Sequence, residues 1–110
     1  MTALEQGDII EVDFNPSVGH EPAKLRPAVV VSAFAFNARS SLVSVVPVTS
    51  KRHDYPLHVP VEAGPVKGWA CVEALRNIDL DHRGYQVVGF ADDAAMRQIM
   101  GYIRGMLDLR

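Results

Sequence analysis

The sequence contains one cysteine, Cys71, in 110 residues. No intramolecular disulfide is possible and no second thiol exists for a zinc knuckle, so neither a disulfide scaffold nor a thiolate metal site is expected. No apolar run approaches the roughly 18 residues a membrane helix needs, and the amino-terminal MTALEQGDIIEVD lacks the basic flank and apolar stretch of a secretion signal. The expectation is a cytoplasmic chain with no membrane attachment. Internal repeats, low-complexity tracts and Gly/Ser linkers are missing, and the seven prolines are spread out. One domain spanning 1–110 is expected. Positive charge is not in excess either: 11 basic against 13 acidic residues give −2, which excludes a basic coat over the whole molecule.

What is present is apolar material. With 48% of residues hydrophobic and 22% charged, the chain can bury enough surface to offset its ordering entropy. The charge is also uneven. Between positions 20 and 53, Lys24, Arg26, Arg39, Lys51 and Arg52 face Glu21 alone, a local +4. An anionic partner would be held there, and nowhere else on the chain is a positive face expected.

Short apolar segments alternate with turns. In Gly7 to Phe14, Ile10, Val12 and Phe14 alternate with Glu11 and Asp13, the period of a half-buried strand, before Asn15-Pro16 breaks it. RPAVVVSA from Arg26 and LVSVVPVT from Leu42 are continuous β-branched runs, expected at the sheet's centre with both faces covered. Leu57, Val59 and Val61 alternate around Pro60, which cannot donate to a ladder, so this strand is expected either at an edge or with its Pro60 nitrogen pointing outward. GWACVEAL from Gly68 reads as a fifth strand and Gln86 to Phe90 as a sixth. Met96, Ile99, Met100, Ile103, Met106 and Leu107 then recur at helical spacing behind Asp92 and Asp93, which suit a helix amino terminus. Gly101 and Gly105 within that helix suggest close approach to another element. The fold class is mainly β: a small twisted barrel of five to seven strands with a carboxy-terminal amphipathic helix.

Two strand ends gather chemistry. GHEPAKLRP brings His20, Glu21, Lys24 and Arg26 into one loop that leads into a buried strand, and a strand-anchored loop holds side chains with little freedom. VPVTS ends the next buried strand on Thr49 and Ser50, just before Lys51 and Arg52. If these strands pair antiparallel, the start of the first meets the end of the second, and Arg26 and Thr49 face one anionic group. The plainer role for Thr49 is to cap its turn. His53 and His58 lack the spacing of a helical metal pair and read as surface residues; no metal and no cofactor are expected. Trp69 reads as core or dimer interface.

The order GDIIEVDFNPSVGHE, LRPAVVVS, VVPVTS, then Glu73 and the RNID of Arg76 to Asp79 resembles the MazF/PemK/Kid family of toxin endoribonucleases over nearly the whole chain. The resemblance implies a small SH3-like barrel that dimerises and cuts single-stranded RNA at short sequences without a metal. It implies activity from Arg26 and Thr49, and catalysis or RNA contact from His20, Glu21 and Glu73. Lys24, Ser50, Lys51, Arg52 and Arg76 are the expected RNA contacts. The partner implied is a MazE-like antitoxin whose acidic disordered tail occupies the positive groove.

The chain departs from the family pattern at Pro22, Lys24, Cys71 and Ala74. The first two stiffen and charge the loop, and Cys71 stands where some members carry arginine. RNA supplies its own nucleophile, the 2′-hydroxyl, so cleavage needs a base, an acid for the leaving oxygen and donors for the charged phosphorane. Arg26 suits the phosphorane, Thr49 a phosphate oxygen, and Glu21, His20 or Glu73 the base. Two other readings use the same scaffold: a non-enzymatic CcdB-like gyrase poison acting through its terminal helix, and a degenerate homologue that only binds antitoxin.

Overall fold

The two valine-rich runs pair with each other at the middle of one antiparallel sheet, which sets the architecture around them. The computed structural model describes residues 1–14, 25–52, 55–81 and 83–109. Its elements are β1 (Asp8–Asp13), β2 (Leu25–Val30), α1 (Phe34–Arg39), β3 (Leu42–Thr49), β4 (His58–Ala63), β5 (Val66–Cys71), β6 (Arg76–Asp79), β7 (Tyr85–Phe90) and α2 (Asp93–Leu107). A 3-10 turn, Val72–Ala74, joins β5 to β6. The strand order is β4-β5-β3-β2-β1-β7, with β6 pairing β3 alongside β5. Among the described residues this is a mostly β half-barrel of seven antiparallel strands closed by a carboxy-terminal helix.

Alternation along the central strands feeds two separate cores, because successive side chains point to opposite faces. Ile9, Val29, Val46 and Val48 pack with Val59, Val61, Ala70 and α2 residues Ile99 and Ile103. Ile10, Val12, Ala28, Val30, Val43 and Val45 pack on the other face with Leu4, Phe14, Ile78 and Leu80. Coverage on both faces is why β2 and β3 are rich in valine on both faces. Pro60 does lie on an edge strand.

Three local features were not legible beforehand. The fifth strand ends at Cys71 rather than continuing to Leu75, because Val72–Ala74 form the turn. RNID forms β6 against β3, a four-residue strand too short to show a period. Helix α1 is six residues long and holds one fully buried polar residue, Asn37. Its amide donates to the carbonyls of Leu4 at 2.9 Å and Ser32 at 3.1 Å, and Ser32 Oγ donates to its oxygen, tying the amino terminus to the β2–β3 connection.

Helix α2 begins as expected, with the Asp92 carboxylate accepting from Ala95 N at 2.8 Å. It ends on Asp108 in the left-handed conformation. The close approach expected at Gly101 and Gly105 is not found: a β-carbon at either would meet nothing within 4 Å. Both glycines sit on the exposed side of the helix. No helix among the described residues is long and apolar enough to cross a membrane.

Candidate nucleic-acid interface

Strands β2 and β3 pair through Ala28↔Pro47, Val29↔Val46 and Val30↔Val45. Carried two residues further, that register sets Arg26 across from Thr49, on the sheet face that carries Ala28 and Val30 into the second core. Both residues line one cleft of about 450 Å³, together with Glu11, Pro27, Val48, Ser50, Lys51, Pro65, Val66 and Lys67. Three cations and one carboxylate line it among the described residues, and its Thr49 and Ser50 add hydroxyls. Such a cleft attracts an anion and offers it directed donors.

Thr49 does cap its turn: Lys51 N–H donates to Thr49 Oγ1 at 3.2 Å. That bond uses a lone pair of the hydroxyl and leaves its proton free for a ligand, so capping and phosphate binding are compatible. On its other side Thr49 pairs with Trp69 of β5, and Gly68 is what lets β5 come so close. A β-carbon on Gly68 would lie 2.2 Å from the Thr49 carbonyl oxygen. Trp69 is half-buried on the same face as Thr49 rather than enclosed in either core.

Because side chains two apart share a face, Lys67, Trp69 and Cys71 of β5 follow Thr49, and His58 of β4 faces Cys71. His58 is not a surface residue as its sequence context suggested. Its side chain is only 6% exposed and its Nε2 lies 2.9 Å from Glu73 Oε2. The 3-10 turn delivers Glu73 to that position. Burial first, then the Glu73 carboxylate, push the Cys71 thiol above its ordinary range, against a smaller opposing effect of a backbone hydrogen bond from Thr49.

Of the expected site residues, the structure brings Arg26, Thr49, Ser50 and Lys51 to one cleft; Glu73 does not line it, and its carboxylate sits instead within 4.8 Å of the His58 and Cys71 side-chain atoms. Arg52 is exposed and does not line the cleft. Arg76 does not line it either; its guanidinium stacks over the Phe14 ring at 5.1 Å, where β1 ends. Arg83 fixes the same point by donating to the carbonyls of Asp13 at 2.7 Å and Phe14 at 2.9 Å. His20, Glu21, Pro22 and Lys24 lie outside the described residues, as does His53. Sequence reasoning gave Glu11, Lys67 and Gly68 no part in a site and read His58 as a surface residue. Lys67 lies outside the basic 20–53 segment, and only the β3–β5 register, a long-range pairing, brings it to the cleft.

Residues 5–107 match a family model described as the PemK-like, MazF-like toxin of type II toxin-antitoxin systems. The endoribonuclease toxin MazF of Escherichia coli (strain K12) is 36% identical over 80 residues, covering 73% of this chain and 72% of the relative. The endoribonuclease toxin ChpB of the same strain is 32% identical over 113 residues, covering 96% of this chain and 95% of the relative. A crystal structure of MazE-MazF (Form-II) from Deinococcus radiodurans superimposes with a TM-score of 0.88 at 27% identity, covering 100% of both chains.

Proposed function

The chain belongs to the PemK-like, MazF-like toxin family of type II toxin–antitoxin systems, and from that premise we propose that it is an endoribonuclease whose cleft grips a phosphodiester of single-stranded RNA between Arg26 and Thr49. The observation that carries the reading is the meeting of those two side chains in one cleft with Lys51 and Lys67. RNA brings its own nucleophile, so the protein needs to supply only proton transfer and charge stabilisation.

In this reading the Arg26 guanidinium donates to the non-bridging oxygens as the phosphorane gains charge, the step at which a preorganised donor is worth most. Thr49 Oγ1, oriented by the Lys51 amide, donates to a second oxygen. The 2′-hydroxyl proton goes to Glu73, Glu21 or His20. Glu73 is the candidate among the described residues, and its contact with His58 fixes its carboxylate on the face that carries Thr49. As the P–O5′ bond breaks, the leaving oxygen takes a proton from Arg26 or from water, and the products are a 2′,3′-cyclic phosphate and a 5′-hydroxyl. Lys51, Lys67, Ser50 and Lys24 hold flanking phosphates, with Arg52 and Arg76 further out.

The whole chain acts as one toxin domain in the cytoplasm. Its partners are a second copy of itself and a MazE-like antitoxin whose acidic tail competes with RNA for the basic cleft. Exposed Tyr85, Val87 and Phe90 on edge strand β7, with Met106 and Leu107 on α2, are apolar surface for such contacts. The gyrase-poison alternative is not favoured, since the curated relatives are endoribonucleases.

The test is cleavage of single-stranded RNA in EDTA by the wild type and by Arg26→Ala. Cleavage by the first and its loss by at least a hundredfold in the second are expected. An uncut RNA pool with the wild type, together with undiminished toxicity of Arg26→Ala in cells, would overturn the reading.

A further inference from the structure

His58 and Cys71 are direct cross-strand neighbours on β4 and β5. Val72 N–H donates to the Leu57 carbonyl at 3.3 Å, so the ladder bonds fall on the adjacent pair. The His58/Cys71 pair is therefore the non-hydrogen-bonded kind, in which opposed side chains lie closest. Two residues on, the 3-10 turn brings Glu73 back over the pair. An imidazole nitrogen, a sulfur and a carboxylate oxygen all lie within 4.8 Å of one another.

We propose that His58, Cys71 and Glu73 form a binding site for a zinc-type divalent cation. The donor set selects the metal class: thiolate and imidazole suit Zn²⁺, whereas Mg²⁺ and Ca²⁺ require oxygen ligands throughout. Three protein ligands leave a fourth tetrahedral position open to solvent, on the half-exposed Glu73 side. Binding a tetrahedral Zn²⁺ requires each of the three atoms at about 2.0–2.3 Å from a common centre, so they draw closer together than the 4.8 Å that bounds them in the metal-free chain. On binding, the Cys71 thiol proton passes to solvent and the His58 Nε2 proton leaves that nitrogen, for Nδ1 or for solvent. The Glu73–His58 contact is replaced by two metal bonds.

The site adjoins Thr49, because Cys71 follows two residues after the Trp69 that pairs with it. A cation there also takes Glu73 out of proton transfer. Occupancy therefore switches RNA cleavage off, a consequence that rests on the reading in the previous subsection; the binding itself does not.

The experiment is a titration of the EDTA-stripped full chain with Co²⁺, read by thiolate-to-metal charge transfer in the near ultraviolet and reversed by Zn²⁺. A signal saturating at one equivalent is expected, lost in Cys71→Ser and weakened at least tenfold in His58→Gln, with both variants checked for the wild-type circular dichroism. No charge transfer in the wild type, or an equal signal in Cys71→Ser, overturns the site. In parallel, one equivalent of Zn²⁺ suppresses RNA cleavage by the wild type and not by Cys71→Ser. Binding without suppression overturns the switch alone, whereas metal-free protein that cuts no RNA counts against the endoribonuclease reading and leaves the titration to decide the site.

Discussion

The Thr49 carbonyl oxygen occupies the space a β-carbon at Gly68 would need, 2.2 Å away from it. The backbone at Gly68 is not in the left-handed region, so alanine is excluded by space alone. Gly68→Ala must push β5 away from β3 at the residue that offers its hydroxyl to the cleft. A stability loss of about 1–3 kcal/mol by urea denaturation is expected, with RNA cleavage falling at least tenfold under conditions where the variant remains folded. Wild-type cleavage by folded Gly68→Ala would show that the close approach has no part in placing Thr49.

Asn37 is fully buried and bonds to two backbone carbonyls and Ser32. Asn37→Ala leaves those carbonyls unsatisfied, and equilibrium denaturation should register a loss of about 2–3 kcal/mol. Asn37→Asp should do no better, since a carboxylate cannot donate to the Leu4 and Ser32 carbonyls.

Glycine in a helix interior costs up to about 1 kcal/mol relative to alanine, and neither Gly101 nor Gly105 has a neighbour to justify it. Gly101→Ala should therefore raise the stability of the monomeric chain by about 0.5–1 kcal/mol. A lower unfolding midpoint would show that this face of α2 packs closely against something in solution.

In metal-free protein the Cys71 thiol is held above its ordinary range by burial and by the Glu73 charge. Both disfavour the thiolate, so alkylation by iodoacetamide at neutral pH should run slower than with a free thiol and should accelerate only as pH rises past the usual thiol range. Glu73→Gln removes the charge and leaves the burial, so its alkylation profile should move part of the way back toward lower pH.

The sequence carried the fold's centre well because the middles of β2 and β3 are buried on both faces and read as valine-rich runs, while α2 shows a long helical period. It carried β6 and α1 poorly: four and six residues are too few for periodicity to register. At the site, Arg26 and Thr49 were legible because antiparallel neighbours bring a strand start beside a strand end. Lys67 and His58 were not. Their positions depend on β3–β5 and β4–β5 registers, and long-range pairing leaves no local mark. His58 was misread for the same reason: the carboxylate that meets its Nε2 belongs to Glu73, fifteen residues away in the chain.

A double-mutant cycle on RNA cleavage tests whether Arg26 and Thr49 act on one phosphate. Rates (kcat/KM) would be measured in EDTA for the wild type, Arg26→Ala, Thr49→Val and the double variant. Two groups bound to the same phosphorane act as a unit, so the double variant should be hardly slower than the worse single. Losses that multiply, or a Thr49→Val protein that cleaves at the wild-type rate, would contradict the account.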